Sequence, residues 1–349
     1  MIFPRTKLAR RFLSVVVSII LIFLVAAWWI FYSPNPSRDD QAGTIYVSRG
    51  QSFPEIADSL SLKGIIRSRG TFYFVARVLG GSEHIRTGKY VIPAGTSNTK
   101  LFLMLRSGKG NQLIQVPIPE GSRVRMQAHL FSRNLGIDSA KYTEYAFDPD
   151  FAGSLGVQEG SLEGYLLPDT YEFSWEQDER EILRYQVASF WKFFDDSMKA
   201  RCESLGFTIH QAVTLASIVE GEAVLGEERP IIAGVYLNRL KRRMKLEADP
   251  TIQYIIGETP RRILYDDLKI DNPYNTYRYP GLPPGPVNNP GKASLVASLH
   301  PASHDYLFFV ANGKGGHWFA RTFADHRHYV RIYKKQRARA LTSGNVAKG

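Results

Sequence analysis

One cysteine, Cys202, in 349 residues rules out an intrachain disulfide and leaves no thiol cluster to hold a metal. Net charge is equally scarce over most of the chain. The total of +11 comes from two ends, Arg5, Lys7, Arg10 and Arg11 at the start and eight Lys/Arg against Asp325 from residue 321 onward. Everything between is formally neutral, so no broad basic surface argues for DNA or RNA, and no nucleic-acid partner is expected. Charge of either sign is absent from Phe12 to Tyr32.

That uncharged run is long, apolar and closed by Trp28-Trp29-Ile-Phe-Tyr32. It matches the hydrocarbon core of a bilayer, with the aromatics as an interfacial belt. The basic residues before it and Asp39-Asp40 after it predict a single-pass anchor with a cytoplasmic N-terminus. A cleaved signal peptide is the alternative, weakened by the length of the run and by the lack of a small-residue cleavage site after the tryptophans. Residues 33–43 are polar and contain prolines, as in a tether.

From Thr44 the pattern alternates short strands and capped helices: a strand at 44–47, helices at 52–60 and 71–79, a strand at 88–92 and a helix at 99–106. This order resembles a LysM-like glycan-binding module over 44–110; a packing subdomain without a ligand is the alternative. A strand at 112–118, a tight aromatic segment at 161–173 and a long amphipathic helix at 179–205 follow. Residues 111–340 are read as one mixed α+β domain, with 341–349 as a flexible tail. The overall class is α+β behind a single N-terminal transmembrane helix.

The domain centres on the stretch Gln211 to Glu222. Thr208 and Gln211 have the spacing of a capping box. Val213, Ala216 and Glu220 share one face, so Glu220 falls in line with apolar positions. A carboxyl held among apolar neighbours has its charged form disfavoured, which suits a general acid near neutral pH. The competing reading is a structural ion pair of Glu220 with Arg229 or Arg239. Glu222 lies about 200° around the helix from Glu220, facing elsewhere. Farther on, the proline-dense run 281–290 cannot be helix or central strand and reads as a rigid loop.

Several motifs occur in order: Ser161-Leu-Glu163-Gly-Tyr-Leu-x-Pro-Asp-Thr-Tyr171, Ala216-Ser-Ile-Val-Glu220, Asn238-Arg239-Leu240, Leu246-x-x-Asp249-Pro-Thr251, Asn275-Thr-Tyr277, Gly281-Leu-Pro-Pro-Gly-Pro286 and Gly316-His317-x-Phe319. Together they resemble the endolytic murein transglycosylase, or YceG-like, family. The resemblance implies a bacterial inner-membrane protein whose catalytic domain lies outside the cytoplasm. Its substrate would be peptidoglycan glycan strands, with peptidoglycan synthases as candidate partners and no cofactor or metal. It also implies one catalytic glutamate, which falls on Glu220 by its motif, serving first as acid and then as base to leave 1,6-anhydro ends.

Glu163, Asn238, Asn275 and Tyr277 are candidate sugar contacts, with Pro284 in the loop that would wall the cleft. Asp249, Glu222 and Glu247 are candidates for a second carboxylate, although helix N-capping also fits Asp249 and Glu222 cannot share the pocket of Glu220 if the helix continues that far. Glu247 departs from the Gln more common in the family. His317 is a further site candidate without a second ligand at metal spacing. A non-catalytic wall-binding scaffold and a two-carboxylate hydrolase are the rival functions.

Overall fold

The computed structural model describes residues 5–36, 41–81, 85–259 and 261–346. Asp39 and Asp40 of the expected linker, and residues 347–349 of the expected tail, lie outside these. The chain divides into two compact units, residues 1–114 with 172–177, and residues 115–171 with 178–349. Helix and sheet are mixed in both.

Unit 1 begins with helix α1 (Arg5–Tyr32), the one helix among the described residues long and apolar enough to cross a membrane. Its last carbonyls have no intrahelical donors and are met by side chains of a later helix, α4. Asn98 Nδ2 donates to Ile30 O at 2.9 Å and Thr99 Oγ1 to Phe31 O at 2.8 Å. Asn35 is buried, donating to Thr96 O at 3.0 Å and to Asn98 Oδ1 at 2.9 Å. The start of the expected tether is therefore folded onto unit 1.

Strands β1 (Gly43–Val47), β2 (Gly88–Ile92) and β3 (Asn111–Gln112) form an antiparallel sheet in that order, with Ile45 opposite Tyr90. Helices α2 (Phe53–Leu62), α3 (Arg69–Val78) and α4 (Asn98–Ser107) complete the unit. Alternation in β1 and β2 sends Ile45, Val47, Tyr90 and Ile92 inward against Phe53, Ile56, Phe72 and Phe102. Pro54 is accommodated in the first turn of α2, where Ser52 and Glu55 form a capping box.

Unit 2 is mainly helical. Strand β4 (Ile114–Pro117) precedes helices α5 (Val124–Leu135), α6 (Ser139–Ala146) and α7 (Pro149–Ser154), and strand β5 (Thr170–Phe173) pairs with β4. The single helix expected over 179–205 is two, α8 (Glu179–Phe193) and α9 (Asp196–Leu205). Asp195 makes the break by capping α9, its side chain accepting from Met198 N.

At the centre stands α10 (Ile209–Glu222), opened by the expected capping box of Thr208 and Gln211. Every residue from Ala212 to Val219 is buried, so α10 is surrounded rather than faced on one side. Around it lie α11 (Arg229–Lys241), α12 (Asp249–Ile256) and α13 (Lys292–Leu299). Strands β6 (Phe308–Ala311) and β7 (His317–Ala320) form a hairpin, and α14 (Phe323–Val346) extends through most of the expected flexible tail.

The proline-rich run is an ordered loop. Val287 N donates to Ser217 Oγ at 3.0 Å and Asn288 Nδ2 to Ser217 O at 2.8 Å, fastening it to α10.

Candidate active site

Because α10 is buried all round, polar chemistry is possible only where it ends. Two carboxylates stand there, and they face different surroundings. Glu220 is not lodged among apolar groups, as the helix pattern suggested. Its Oε1 lies 3.3 Å from Arg229 Nη2 and its Oε2 accepts from Gly291 N at 3.0 Å. Arg229 also donates to Ser294 Oγ at 2.9 Å and lies 3.5 Å from Glu120. The side chain of Glu220 is 7% exposed. The ion pair raised as the alternative from sequence is the arrangement present, and it ties α10 to the first turns of α11 and α13.

Glu222, the last residue of α10, turns toward a cavity of about 550 Å³. Tyr236, Arg239, Glu247, Asp249, Tyr277 and His317 also line it. Tyr236 Oη donates to Glu222 Oε1 at 3.0 Å, and Asp249 N donates to the same oxygen at 3.2 Å. Part of Glu222 remains exposed, yet the protein packed around its carboxyl pushes it up to about 7. Burial is the main cause and the Asp249 charge the second; the Tyr236 and Asp249 hydrogen bonds oppose them.

Asp249 does not cap its helix. Ala248 holds the N-cap position, and the Asp249 carboxylate accepts from Tyr277 Oη at 2.6 Å. Tyr277 is aimed by Asn275, whose Oδ1 accepts from Tyr277 N at 2.9 Å while its Nδ2 donates to Leu268 O and Ile270 O. Asn275 is fully buried and so positions a wall residue from behind.

Glu247 occupies the left-handed region, φ 50°, unusual for a residue with a side chain. It accepts from Arg239 Nη1 at 3.0 Å. Arg239 is itself occupied by carbonyls of Leu307, Lys245 and Leu246. His317 is gripped by Glu228, which accepts from His317 N at 2.8 Å and pairs with its Nδ1 at 2.6 Å.

Three other expected site residues lie elsewhere. Asn238 Nδ2 is taken up by the carbonyls of His304 and Tyr306, at 2.7 and 3.1 Å. Glu163 is buried, accepting from Val124 N and, at 2.8 Å, from Asn289 Nδ2, and burial raises its carboxyl to about 8. Pro284 lines a separate cavity of about 530 Å³ with Phe207 and Leu282, its carbonyl 2.9 Å from His210 Nε2. Among the described residues, no group of three His, Cys, Asp or Glu is placed to hold a metal.

The cavity thus gathers Glu222, Glu247, Asp249, Tyr277 and His317 from the sequence-based candidates and adds Tyr236, while Glu228 holds His317. The signal for Glu222 was present in the sequence, a second acid at the helix end, but its partners arrive from α11 and α12.

Comparisons with known proteins agree with this architecture. A model of the YceG-like family matches residues 45–332. The endolytic murein transglycosylase of Bacillus subtilis (strain 168) is 30% identical over 308 residues, which span 84% of this chain and 85% of that protein. The protein of the same name from Streptococcus pneumoniae serotype 2 is 28% identical over 324 residues, and the match spans 58% of its length. The crystal structure of a yceG-like protein from Listeria monocytogenes superposes with a TM-score of 0.60 at 28% identity, covering 82% of this chain and 98% of that one. This chain belongs to the YceG-like family.

Proposed function

We infer that the chain is a membrane-anchored lytic transglycosylase cleaving MurNAc–GlcNAc bonds within peptidoglycan strands, and that Glu222, in place of Glu220, is its acid and base. The observation that carries this is Glu222 at the wall of the 550 Å³ cavity, its carboxyl pushed to about 7 beside Asp249. The family membership supplies the reaction class. A group near 7 is populated in both protonation states at neutral pH, as one residue in two roles requires.

In the reaction, protonated Glu222 gives its proton to the glycosidic oxygen as the bond from MurNAc C1 breaks. The Asp249 carboxylate favours the positive charge that develops on the sugar. Glu222, now ionised, removes the proton from the MurNAc C6 hydroxyl, whose oxygen bonds to C1. The products are a 1,6-anhydro end and a free GlcNAc 4-hydroxyl, with no water consumed and Glu222 restored. Tyr236 Oη and Asp249 N hold Glu222 in place. Glu247, Tyr277 and His317 form the walls that meet the sugar.

Unit 1, with its β1–α2–α3–β2 order, is read as LysM-like. The four basic residues before residue 12 keep the N-terminus in the cytoplasm and put the chain beyond α1 outside it. A second reading, hydrolysis with Asp249 as the second carboxylate, is favoured by the place of Asp249 beside Glu222.

Mass spectrometry of glycan strands digested by the purified full-length protein separates the two, since hydrolysis adds one water and ring closure adds none. The expected result is anhydro ends, lost in Glu222→Gln and retained in Glu220→Gln. Anhydro ends that persist in a folded Glu222→Gln protein sink the assignment.

A further inference from the structure

The proposed chemistry leaves an apolar strip on unit 1 unused. On α3, Phe74 and Val78 are four residues apart and share a face, standing 51% and 56% exposed. On α4, Leu103 follows Thr99 by four residues and is 48% exposed. Arg106 Nη1 of α4 donates to Leu79 O at 2.8 Å, which aligns the C-terminal ends of the two helices. Thr99 is the residue that donates to Phe31 O, and the Phe74 ring meets the Phe31 ring edge-on, centroids 6.1 Å apart. The strip therefore starts at the last turn of α1 and runs on over α3 and α4.

Isolated exposed apolar side chains are ordinary. This run differs because it is continuous with a helix suited to a bilayer, and Phe31 fixes the depth of its first member. Trp28, Trp29 and Tyr32 mark that level as the interface. Arg67 lies over the Trp29 ring, 4.5 Å from its centroid, and donates to Pro34 O at 3.1 Å, stiffening the junction. Exposed Arg77 and Lys100 carry positive charge on the same two helices, as phosphate headgroups attract. Val78 and Leu103 offer neither hydrogen bonds nor an aromatic face to a glycan.

We propose that the α3–α4 face is a membrane-contact surface, with Phe74, Val78 and Leu103 in the headgroup–acyl boundary of the leaflet where α1 ends. Arg77 and Lys100 then meet the phosphates. This rests on the anchor in the reading above, and the test separates the two.

Cys202 is buried, so Cys202→Ala supplies a background for single nitroxide labels at Val25→Cys, Leu62→Cys, Val78→Cys and Leu103→Cys. The full-length protein is reconstituted in vesicles of phosphatidylethanolamine and phosphatidylglycerol. At 78 and 103, as at 25, relaxation by oxygen is expected to exceed relaxation by a water-soluble nickel chelate severalfold; at Leu62, on α2, the chelate dominates. Chelate-dominated labels at 78 and 103 with a lipid-exposed label at 25 overturn the proposal and leave the anchor intact. A water-exposed label at 25 overturns the anchor and this surface with it. Labels at 78 and 103 immobilised and reached by neither agent reveal a protein partner or second copy on the face, which also overturns it.

Discussion

Glu220 and Glu222 are separated by one glycine on one helix, yet they inhabit different chemistry. Glu220 is held by a guanidinium and a backbone N–H, with α11 and α13 closing around it. Glu222 has a tyrosine, a backbone N–H and a neighbouring negative charge, and opens on a cavity. A carboxylate matched to a fixed cation serves as a strut. One left beside another acid, with space in front of it, is suited to hand a proton back and forth.

The largest expected effect breaks this contrast directly. Glu222→Gln lowers kcat about 10³-fold, the scale of a lost general acid–base group, with little change in melting temperature. In the wild type, the proposed acid step requires protonated Glu222, so kcat is expected to decline as pH rises through about 7. Asp249→Asn removes a charge that raises Glu222 and shifts that decline to lower pH. A pH–rate series on both proteins checks the direction.

Glu220→Gln is expected to do the opposite, destabilising unit 2 by about 2–3 kcal/mol by leaving Arg229 under-compensated. Glu120, 3.5 Å from Arg229, keeps the loss at the low end. Denaturant titration reads the destabilisation, and activity of the folded fraction stays within about tenfold of wild type, as for an interaction outside the reacting groups.

Glu163 sharpens the comparison, because its carboxyl is raised further, to about 8, while buried away from the 550 Å³ cavity. Below the ordinary value of 4.5, folded and unfolded states both carry the proton and the full stability is present. Between about 4.5 and 8 the unfolded state releases it and the folded state does not, so stability falls by about 1 kcal/mol per pH unit and levels above 8. Denaturation midpoints from pH 5 to 8 show this slope, and Glu163→Gln flattens it. The smallest effect is Tyr277→Phe, which removes the hydroxyl on Asp249 and is expected to cost activity about fivefold, the scale of one ordinary hydrogen bond.

Local features were legible in the sequence. The Thr208–Gln211 box, the start of α10, the irregular proline loop and the apolar first helix all follow from short-range spacing and propensity. What helix periodicity could not supply was the identity of the groups that tertiary packing brings to each face. It placed Glu220 in line with Val213 and Ala216, but the residues that meet it come from Arg229 and Gly291. Asn238 and Asn275 looked like sugar ligands because amides bind sugars well; here their donors go to backbone carbonyls. For Glu220 and Asn238 the deciding partners include groups distant in the chain, Gly291 and His304; for Asn275 they lie five and seven residues back, in an irregular turn that periodicity does not describe.

The grip of Glu228 on His317 has one more consequence. A carboxylate only accepts, so at 2.6 Å the ring proton of a neutral imidazole belongs on Nδ1, and the second contact to the His317 backbone N–H stops the ring from turning over. Nε2 then carries a lone pair, so toward the cavity that His317 lines the imidazole can accept a hydrogen bond and cannot give one.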